Sequence, residues 1–310
     1  MIPVVISGAF EKDPGMADDG NRLTIRKLHP TIGAEVSGID LAAAHGDAVI
    51  ETLRAAWVEH CVLVFHDQAI SDAEQVAFSR CFGELEIFPQ GANRSVDQPE
   101  IFRVSNVGED GALLPPDNPD IKYLTAVQEW HSDSCYRAIP CNGAILRGIE
   151  VTEQGGETLF ADLRAAYREL PAPTKARIAG LRARHSFEYM RRQHDPAPMK
   201  PEEAAQVPPV THPLVRVHPA TGETSLYLSP VYMESIVGLS KTETRDLLDD
   251  LVAWACQPRF VYRHRWRADD VLMWDNRCTM HIVTPFDPRA RRDMHRTTLM
   301  GDGPVIAARP

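Results

Sequence analysis

Hydrophobic and polar positions change period several times along the chain, and those changes mark its elements. Val49, Ile50, Leu53 and Trp57 recur at helical spacing, with Asp47 where an N-cap belongs. The apolar run Cys61-Val62-Leu63-Val64-Phe65 that follows reads as a buried strand. Ser71 with Glu74, and Ser240 with Glu243, have the spacing of capping boxes. The first predicts a helix to about Phe82, and the second one that buries Leu247, Leu248, Leu251 and Ala255. Strands are predicted for Leu23 to Leu28, Ile101 to Val107, Asn142 to Val151, Leu181 to Phe187 and Leu214 to His218. Further strands are predicted for Ser225 to Leu228, Phe260 to Arg265, Val271 to Trp274 and Met294 to Met300. Many short strands with few helices between them favour a mainly β sandwich or jelly roll with flanking helices over a doubly wound sheet.

Residues 1–20 lack periodicity and are expected to form a disordered extension, with Met16 as an alternative start. One domain is expected over 21–310, because a single elaborated sandwich reaches this size. The stretches 108–128 and 191–209 are also aperiodic, and long loops in a compact domain commonly serve as lids.

Composition narrows the functional classes. With 44% hydrophobic and 25% charged residues among 310, the chain can bury a full core. Its net charge of −10 has the wrong sign for neutralising phosphate backbones, so no nucleic-acid partner is expected. No membrane partner is expected either, because Cys61 to Phe65 is far shorter than the ~20 apolar residues of a spanning helix. The start lacks a basic region followed by an apolar core, and a cytoplasmic location is the expectation. Six cysteines without a C-x-x-C pair predict neither disulfides nor a structural zinc.

Candidate chemistry centres on Trp130-His131-Ser132-Asp133. On extended backbone positions i and i+2 share a face, so His131 and Asp133 can grip one metal ion. The other H-x-D, His45-Gly46-Asp47, is read as structural because its Asp sits at the helix start. His281, in a turn-rich setting after Val271 to Asn276, is the candidate third ligand. Two His and one Asp suit a non-haem iron(II) oxygenase with open coordination positions, but a zinc hydrolase can use similar ligands. Arg292 and Arg296 lie four apart on the last predicted strand, so both can turn guanidinium forks to one face. His212 and His218 are read as structural or supporting, and His295 as facing away from the site. Trp130 and Trp274 are read as packing walls, with Asp275 and Asn276 orienting the loop that carries His281.

Taken in order, Trp130-His-Ser-Asp133, Gly155-Gly-Glu-Thr-Leu-Phe160, His212-Pro-Leu-Val-Arg216, His218-Pro-Ala-Thr-Gly222, Trp274-Asp-Asn-Arg277 and His281 resemble the taurine/phenoxyacetate dioxygenase (TauD/TfdA) family. Arginines eleven and fifteen residues beyond His281 complete the resemblance, which runs from about Leu23 to Met300. It implies a double-stranded β-helix (jelly roll) that uses Fe(II), 2-oxoglutarate and O2, with His131, Asp133 and His281 as metal ligands and catalytic centre. It also implies that Thr158 and Arg292 bind the distal carboxylate of 2-oxoglutarate, and that Arg296 meets the substrate or supports the cosubstrate. Glu157 stands where many relatives carry Asp. Related halogenases have a small residue in place of Asp133, so halogenation is not implied.

Ser105-Asn-Val107, Met273 to Cys278 and Phe260 to Trp266 look closer to the phenoxyacetate branch than to the taurine branch. Taurine enzymes hold their substrate with a His and an Asn; Phe88 and Val127 occupy about those substrate-binding positions, which disfavours taurine. The expectation is hydroxylation of a small anionic organic substrate, such as an aryloxyalkanoate or other carboxylate or sulfonate, with release of succinate and CO2 and with cleavage following at an ether. A zinc-dependent hydrolase on the same residues, or a non-catalytic module that binds a small acid, are the alternatives. A homo-oligomer is expected.

Overall fold

The computed structural model of the protein describes residues 23–88, 94–115, 118, 121, 124, 128–195 and 199–309. The expectations for residues 1–20, for Met16 and for Val127 fall outside that range. The chain opens with β1 (Thr24–Lys27), β2 (Ala34–Ser37), a helix at Asp47–His60, β3 (Val62–Phe65) and a helix at Asp72–Arg80. Next come β4 (Phe102–Arg103), β5 (Gly143–Glu150) and β6 (Thr158–Asp162), then helices Leu163–Glu169 and Ala172–Ile178. After β7 (Arg182–His185) and helices Phe187–His194 and Pro201–Gln206 come β8 (Val210–Pro213), β9 (Val215–Val217), β10 (Thr224–Leu226) and β11 (Met233–Ile236). The Lys241–Ala255 helix leads into β12 (Val261–His264), β13 (Val271–Asp275), β14 (Thr279–Val283), β15 (Asp293–Leu299) and β16 (Ile306–Ala307).

Seven strands form the main sheet in the order β1-β2-β3-β13-β5-β15-β4, and β12-β6-β14 form a second sheet. Side-chain alternation on β3 explains why its apolar run is unbroken, since both faces are covered. Leu63 and Phe65 pack with Leu53, Trp57 and Phe78 of the first two helices. Val62 and Val64 point the other way, joining Leu146, Leu272 and Trp274 against Phe160 from the second sheet. This closed two-sheet arrangement is the expected jelly roll, and the layer around Phe160 is the floor on which the site is built.

Both capping boxes form, at Ser71 and at Ser240. Asp47, expected as a cap, is instead the first helical residue; Gly46 occupies the N-cap without a side-chain bond, and Asp47 complements the helix dipole. The helix from Ser71 stops at Arg80, short of Phe82. The strand expected over Ile101 to Val107 shrinks to Phe102–Arg103. There the Ser105 hydroxyl takes the Val107 N–H and donates to the Val107 carbonyl, and such local bonds compete with a ladder. The stretch 191–209 carries the end of one helix and the whole of Pro201–Gln206, each too short for its periodicity to show in sequence.

Gly143 begins β5 where the chain passes tightly: an added Cβ would lie 2.4 Å from both the Trp274 carbonyl oxygen and Trp57 Cζ2. Gly143→Ala should therefore destabilise the protein by about 3 kcal/mol through overpacking. A lower urea midpoint at unchanged slope checks it.

Candidate metal centre

His131 and His281 come from distant parts of the chain and are joined by backbone. The His131 N–H donates to the His281 carbonyl at 2.9 Å, and the His281 N–H returns to the His131 carbonyl at 2.8 Å. Between His131 and Asp133 the alternating chain turns Ser132 the other way, where its hydroxyl donates to the Thr279 carbonyl at 2.7 Å. His131, Asp133 and His281 are buried, and their ligand atoms lie within 4.8 Å of one another.

Each ligand is oriented by a partner. His131 Nδ1 donates to the Glu129 carbonyl at 2.7 Å, which leaves Nε2 as the lone-pair nitrogen. His281 is packed by Trp274 and Phe160, with ring centroids 5.0 and 5.8 Å away. Asp133 receives Arg296 Nη1 on Oδ1 at 2.8 Å and Asn276 Nδ2 on Oδ2 at 3.4 Å, while its N–H donates to Asn276 Oδ1. Burial lowers the pKa of both histidines, His281 to about 3. Burial works to raise that of Asp133, but Arg296 and the two histidines outweigh it and hold the carboxyl at about 2. Two neutral imidazoles and one carboxylate form a donor set that fits a divalent cation.

The turn between β13 and β14 delivers His281, and it is braced by a buried ion cluster. Asp275 accepts Arg277 Nε at 2.9 Å and Nη2 at 2.6 Å, together with His218 Nε2 at 3.1 Å. Thr279 Oγ1 closes the turn on the Asp275 carbonyl at 2.7 Å. His212 Nε2 donates to the Arg137 carbonyl at 2.9 Å, and neither it nor His218 joins the cluster of His131, Asp133 and His281. His295 faces away, bonded to Asp72 at 2.7 Å. Trp130 packs against the core layer of the Leu163–Glu169 helix.

Thr158 and Arg292 line the cavity that holds His131 and His281, with Arg296, Leu146 and Val283 around them. Gly155 and Gly156, at φ of 73 and 68°, turn the chain into β6 just before Thr158. Trp266 Nε1 donates to Thr158 Oγ1 at 2.9 Å, which leaves the hydroxyl proton for another acceptor. Arg292 is 3% exposed, and its Nη2 meets no hydrogen-bond partner among the described residues. Burial alone pushes its pKa down to about 10. An unanswered buried guanidinium beside a free hydroxyl proton fits a carboxylate. Arg292 lies just before β15 rather than on it, and a register shift follows at Asp293/Met294; both arginines nevertheless line the cavity.

Phe88 is half-buried, 4.8 Å from the Phe102 ring, with the Arg296 and Arg137 guanidiniums 5.7 and 6.0 Å from its centroid. Asn276, expected only to orient the loop that carries His281, holds Asp133 itself, and the Trp-Asp-Asn run is its one signal in sequence. Glu86 is buried and accepts the Ser134 hydroxyl next to Asp133, a neighbourhood that no local pattern announces.

A jelly roll holding two histidines and a carboxylate, in a cavity shared with a buried arginine whose Nη2 lacks a partner among the described residues, suits a non-haem metal-dependent enzyme with an acid cosubstrate. The sequence profile of the taurine catabolism dioxygenase TauD, TfdA family matches residues 24–298, and the chain belongs to that family. It is 38% identical over 286 residues to an (S)-phenoxypropionate/alpha-ketoglutarate dioxygenase of Sphingobium herbicidovorans, covering 90% of this chain and 95% of that one. It is 36% identical to an alpha-ketoglutarate-dependent 2,4-dichlorophenoxyacetate dioxygenase of Cupriavidus pinatubonensis, covering 90% and 98%. Among solved structures, AAD-2 in complex with Mn(II) and N-oxalylglycine superposes with a TM-score of 0.84 at 39% identity, covering 93% of this chain and all of that one. The protein is thus a dioxygenase that uses Fe(II), 2-oxoglutarate and O2, on the phenoxyacetate branch, and the hydrolase and binding-module alternatives fall away. No helix among the described residues is long and apolar enough to cross a membrane.

Burial works against charge on His218, but its bond to Asp275 outweighs this and lifts the pKa to about 9. Because the folded value exceeds the unfolded one, the contribution is complete below about pH 6.5 and is lost as pH rises through 9. His218→Gln should cost roughly 3 kcal/mol near pH 6 and much less near pH 10. Urea unfolding of both proteins across that range checks it, and a gap that does not depend on pH would refute the ion pair.

Proposed function

We propose that the chain hydroxylates a small anionic organic acid, an aryloxyalkanoate or a similar carboxylate or sulfonate, at the carbon beside its ether oxygen. The observation that carries the site assignment is Arg292, a buried cation with an unpartnered Nη2 in the cavity of the His131, Asp133 and His281 cluster. In this reading these three residues hold Fe(II), while Thr158 and Arg292 hold the distal carboxylate of 2-oxoglutarate. When bound, the metal supplies the oxidising chemistry with O2 and 2-oxoglutarate, releasing succinate and CO2. Arg296 keeps Asp133 ionised and oriented beside the substrate, and Trp266 fixes the Thr158 hydroxyl so that its proton points to the cosubstrate. Phe88 and Phe102 offer an aromatic wall to the substrate, and Val127 keeps its reading as a substrate-binding position from sequence alone.

The substrate class is supported by the two relatives named for phenoxypropionate and 2,4-dichlorophenoxyacetate. A carbon hydroxylated next to an ether oxygen is a hemiacetal, which collapses to a phenol and an oxoacid, so ether cleavage follows from hydroxylation. The proposal includes one domain over 21–310, with 108–128 and 191–209 as lids over the mouth. It also keeps a cytoplasmic setting, supported by six free cysteines, and a homo-oligomeric assembly that light scattering would test.

Two measurements test the reading. Anaerobic addition of Fe(II) and then 2-oxoglutarate should raise a visible charge-transfer band, absent in His131→Ala and His281→Ala and weakened about tenfold or more in 2-oxoglutarate affinity by Arg292→Ala. A panel of aryloxyalkanoates, alkyl sulfonates and alkyl sulfates should give substrate-dependent succinate, and the ethers should give phenol. Succinate no higher than the substrate-free background across the panel would rule out the substrate class.

A further inference from the structure

Thr158 is held from behind, and what holds it traces back to one buried acid. β12 pairs with β6 so that His264 stands opposite Thr158, and the ladder ends there. Just beyond, Trp266 turns its indole N–H back to Thr158 Oγ1. Residues 265–270 form neither strand nor helix, so the indole must take its direction from side-chain contacts.

Asp270 supplies that direction. It is fully buried, and its carboxylate accepts His66 Nδ1 on Oδ1 at 2.6 Å, with His264 Nε2 and the Arg267 N–H on Oδ2 at 3.0 and 2.9 Å. Burial works to raise its pKa, but the bonds from His264, His66 and Arg267 outweigh it and keep the group an anion. With Nε2 donating to Asp270, His264 accepts on Nδ1, and the Tyr262 hydroxyl meets that nitrogen at 3.2 Å. Both ring nitrogens are engaged, which holds the imidazole plane. That ring stands edge-to-face against Trp266, with centroids 4.7 Å apart and planes at 86°. The indole also packs on bare backbone, since a Cβ added to Gly148 would come within 3.2 Å of Trp266 Cε3. Gly148 is itself tied to this turn: its carbonyl accepts the Asp269 N–H at 2.8 Å and its N–H donates to the Asp270 carbonyl at 2.9 Å.

A buried carboxylate is a poor brace for two sheets, because apolar side chains of similar volume hold them as well. Hydrogen bonds add direction, and here the direction ends at Thr158. We infer that Asp270 is a positioning residue for the cosubstrate: through His264 it holds the Trp266 indole, and through the indole it aims the Thr158 hydroxyl at the distal carboxylate of 2-oxoglutarate. The inference rests on the reading of Thr158 and Arg292 as the seat of that carboxylate. Asp270, His264 and His66 do not line the cavity, so their effect on the cosubstrate is transmitted.

The test titrates two oxoacids anaerobically into the full-length protein loaded with Fe(II), following the visible charge-transfer band. One is 2-oxoglutarate and the other is 2-oxopentanoate, which keeps the chelating end and lacks the distal carboxylate. Asp270→Asn should raise the dissociation constant of 2-oxoglutarate about 3- to 10-fold, the worth of one hydrogen bond, and leave that of 2-oxopentanoate within about twofold. Trp266→Phe should do the same. His264→Phe, which keeps a ring against the indole but cuts it from Asp270, should follow them, and it decides the matter if Asp270→Asn does not fold. In the Trp266→Phe background, Asp270→Asn should add less than about twofold, because the two act along one route. Thr158→Val is the control and should weaken 2-oxoglutarate alone. If that control weakens binding while Asp270→Asn and His264→Phe do not, the inference is overturned and the cosubstrate site stands. Equal losses for both oxoacids would also overturn it, by making Asp270 a brace for the whole fold. Full additivity with Trp266→Phe would overturn the route through the indole. Unchanged binding in Thr158→Val would overturn the reading of the cosubstrate site, and this inference with it.

Discussion

Asp133 is a buried carboxylate that must be answered from three directions, and the site is organised by how the fold does so. An isolated charge in such a place is costly, so partners have to be built in. Arg296 reaches it from the last strand of the main sheet, Asn276 from the turn between β13 and β14, and His281 from β14 itself. Asn276 and Arg296 lie 143 and 163 positions beyond Asp133, and the closing of the jelly roll around Phe160 brings these consecutive elements to its oxygen pair. The paired backbone bonds of His131 and His281 then set the spacing of the nitrogens without relying on side-chain packing.

Charge bookkeeping explains the rest of the cavity. Asp133 and Arg296 offset each other, while Arg292 is buried with an Nη2 that meets no partner among the described residues. A divalent cation would add further positive charge, so the protein alone leaves the loaded site short of anions. Two carboxylates on one small molecule, one for the metal and one for Arg292, would restore the balance, and 2-oxoglutarate is such a molecule. The Trp266 bond to Thr158 serves the same end, because a hydroxyl that already accepts has its proton directed elsewhere. Rigidity comes from outside this layer: His218, Asp275 and Arg277 form a buried ion cluster that holds the β13–β14 turn while touching none of the candidate ligands.

The candidate ligands and the side chains farther out are held in different ways. Residues around the metal are immobilised by backbone pairing and burial. Phe88 and Arg137 are half-buried, and the Arg137 and Arg296 guanidiniums lie against the Phe88 ring.

What the amino-acid sequence by itself determined was local or periodic. Alternation put His131 and Asp133 on one side of Ser132, the capping boxes at Ser71 and Ser240 started their helices, and the unbroken run of β3 foretold a strand covered on both faces. The motif order from Trp130 to Arg296 carried the family, and with it the jelly roll and the cosubstrate. Tertiary structure decided what depends on contacts between distant residues. It decided that Arg296 answers Asp133, that Asn276 grips a carboxylate 143 positions away rather than only its own loop, and that Glu86 accepts the Ser134 hydroxyl next to Asp133. It also decided the short helices around 187–206 and the loss of strand at Ser105, where side-chain bonds to backbone overrode the apolar pattern. Periodicity reports which face of an element is covered, but not which partner covers it, because that is settled only when the two sheets close.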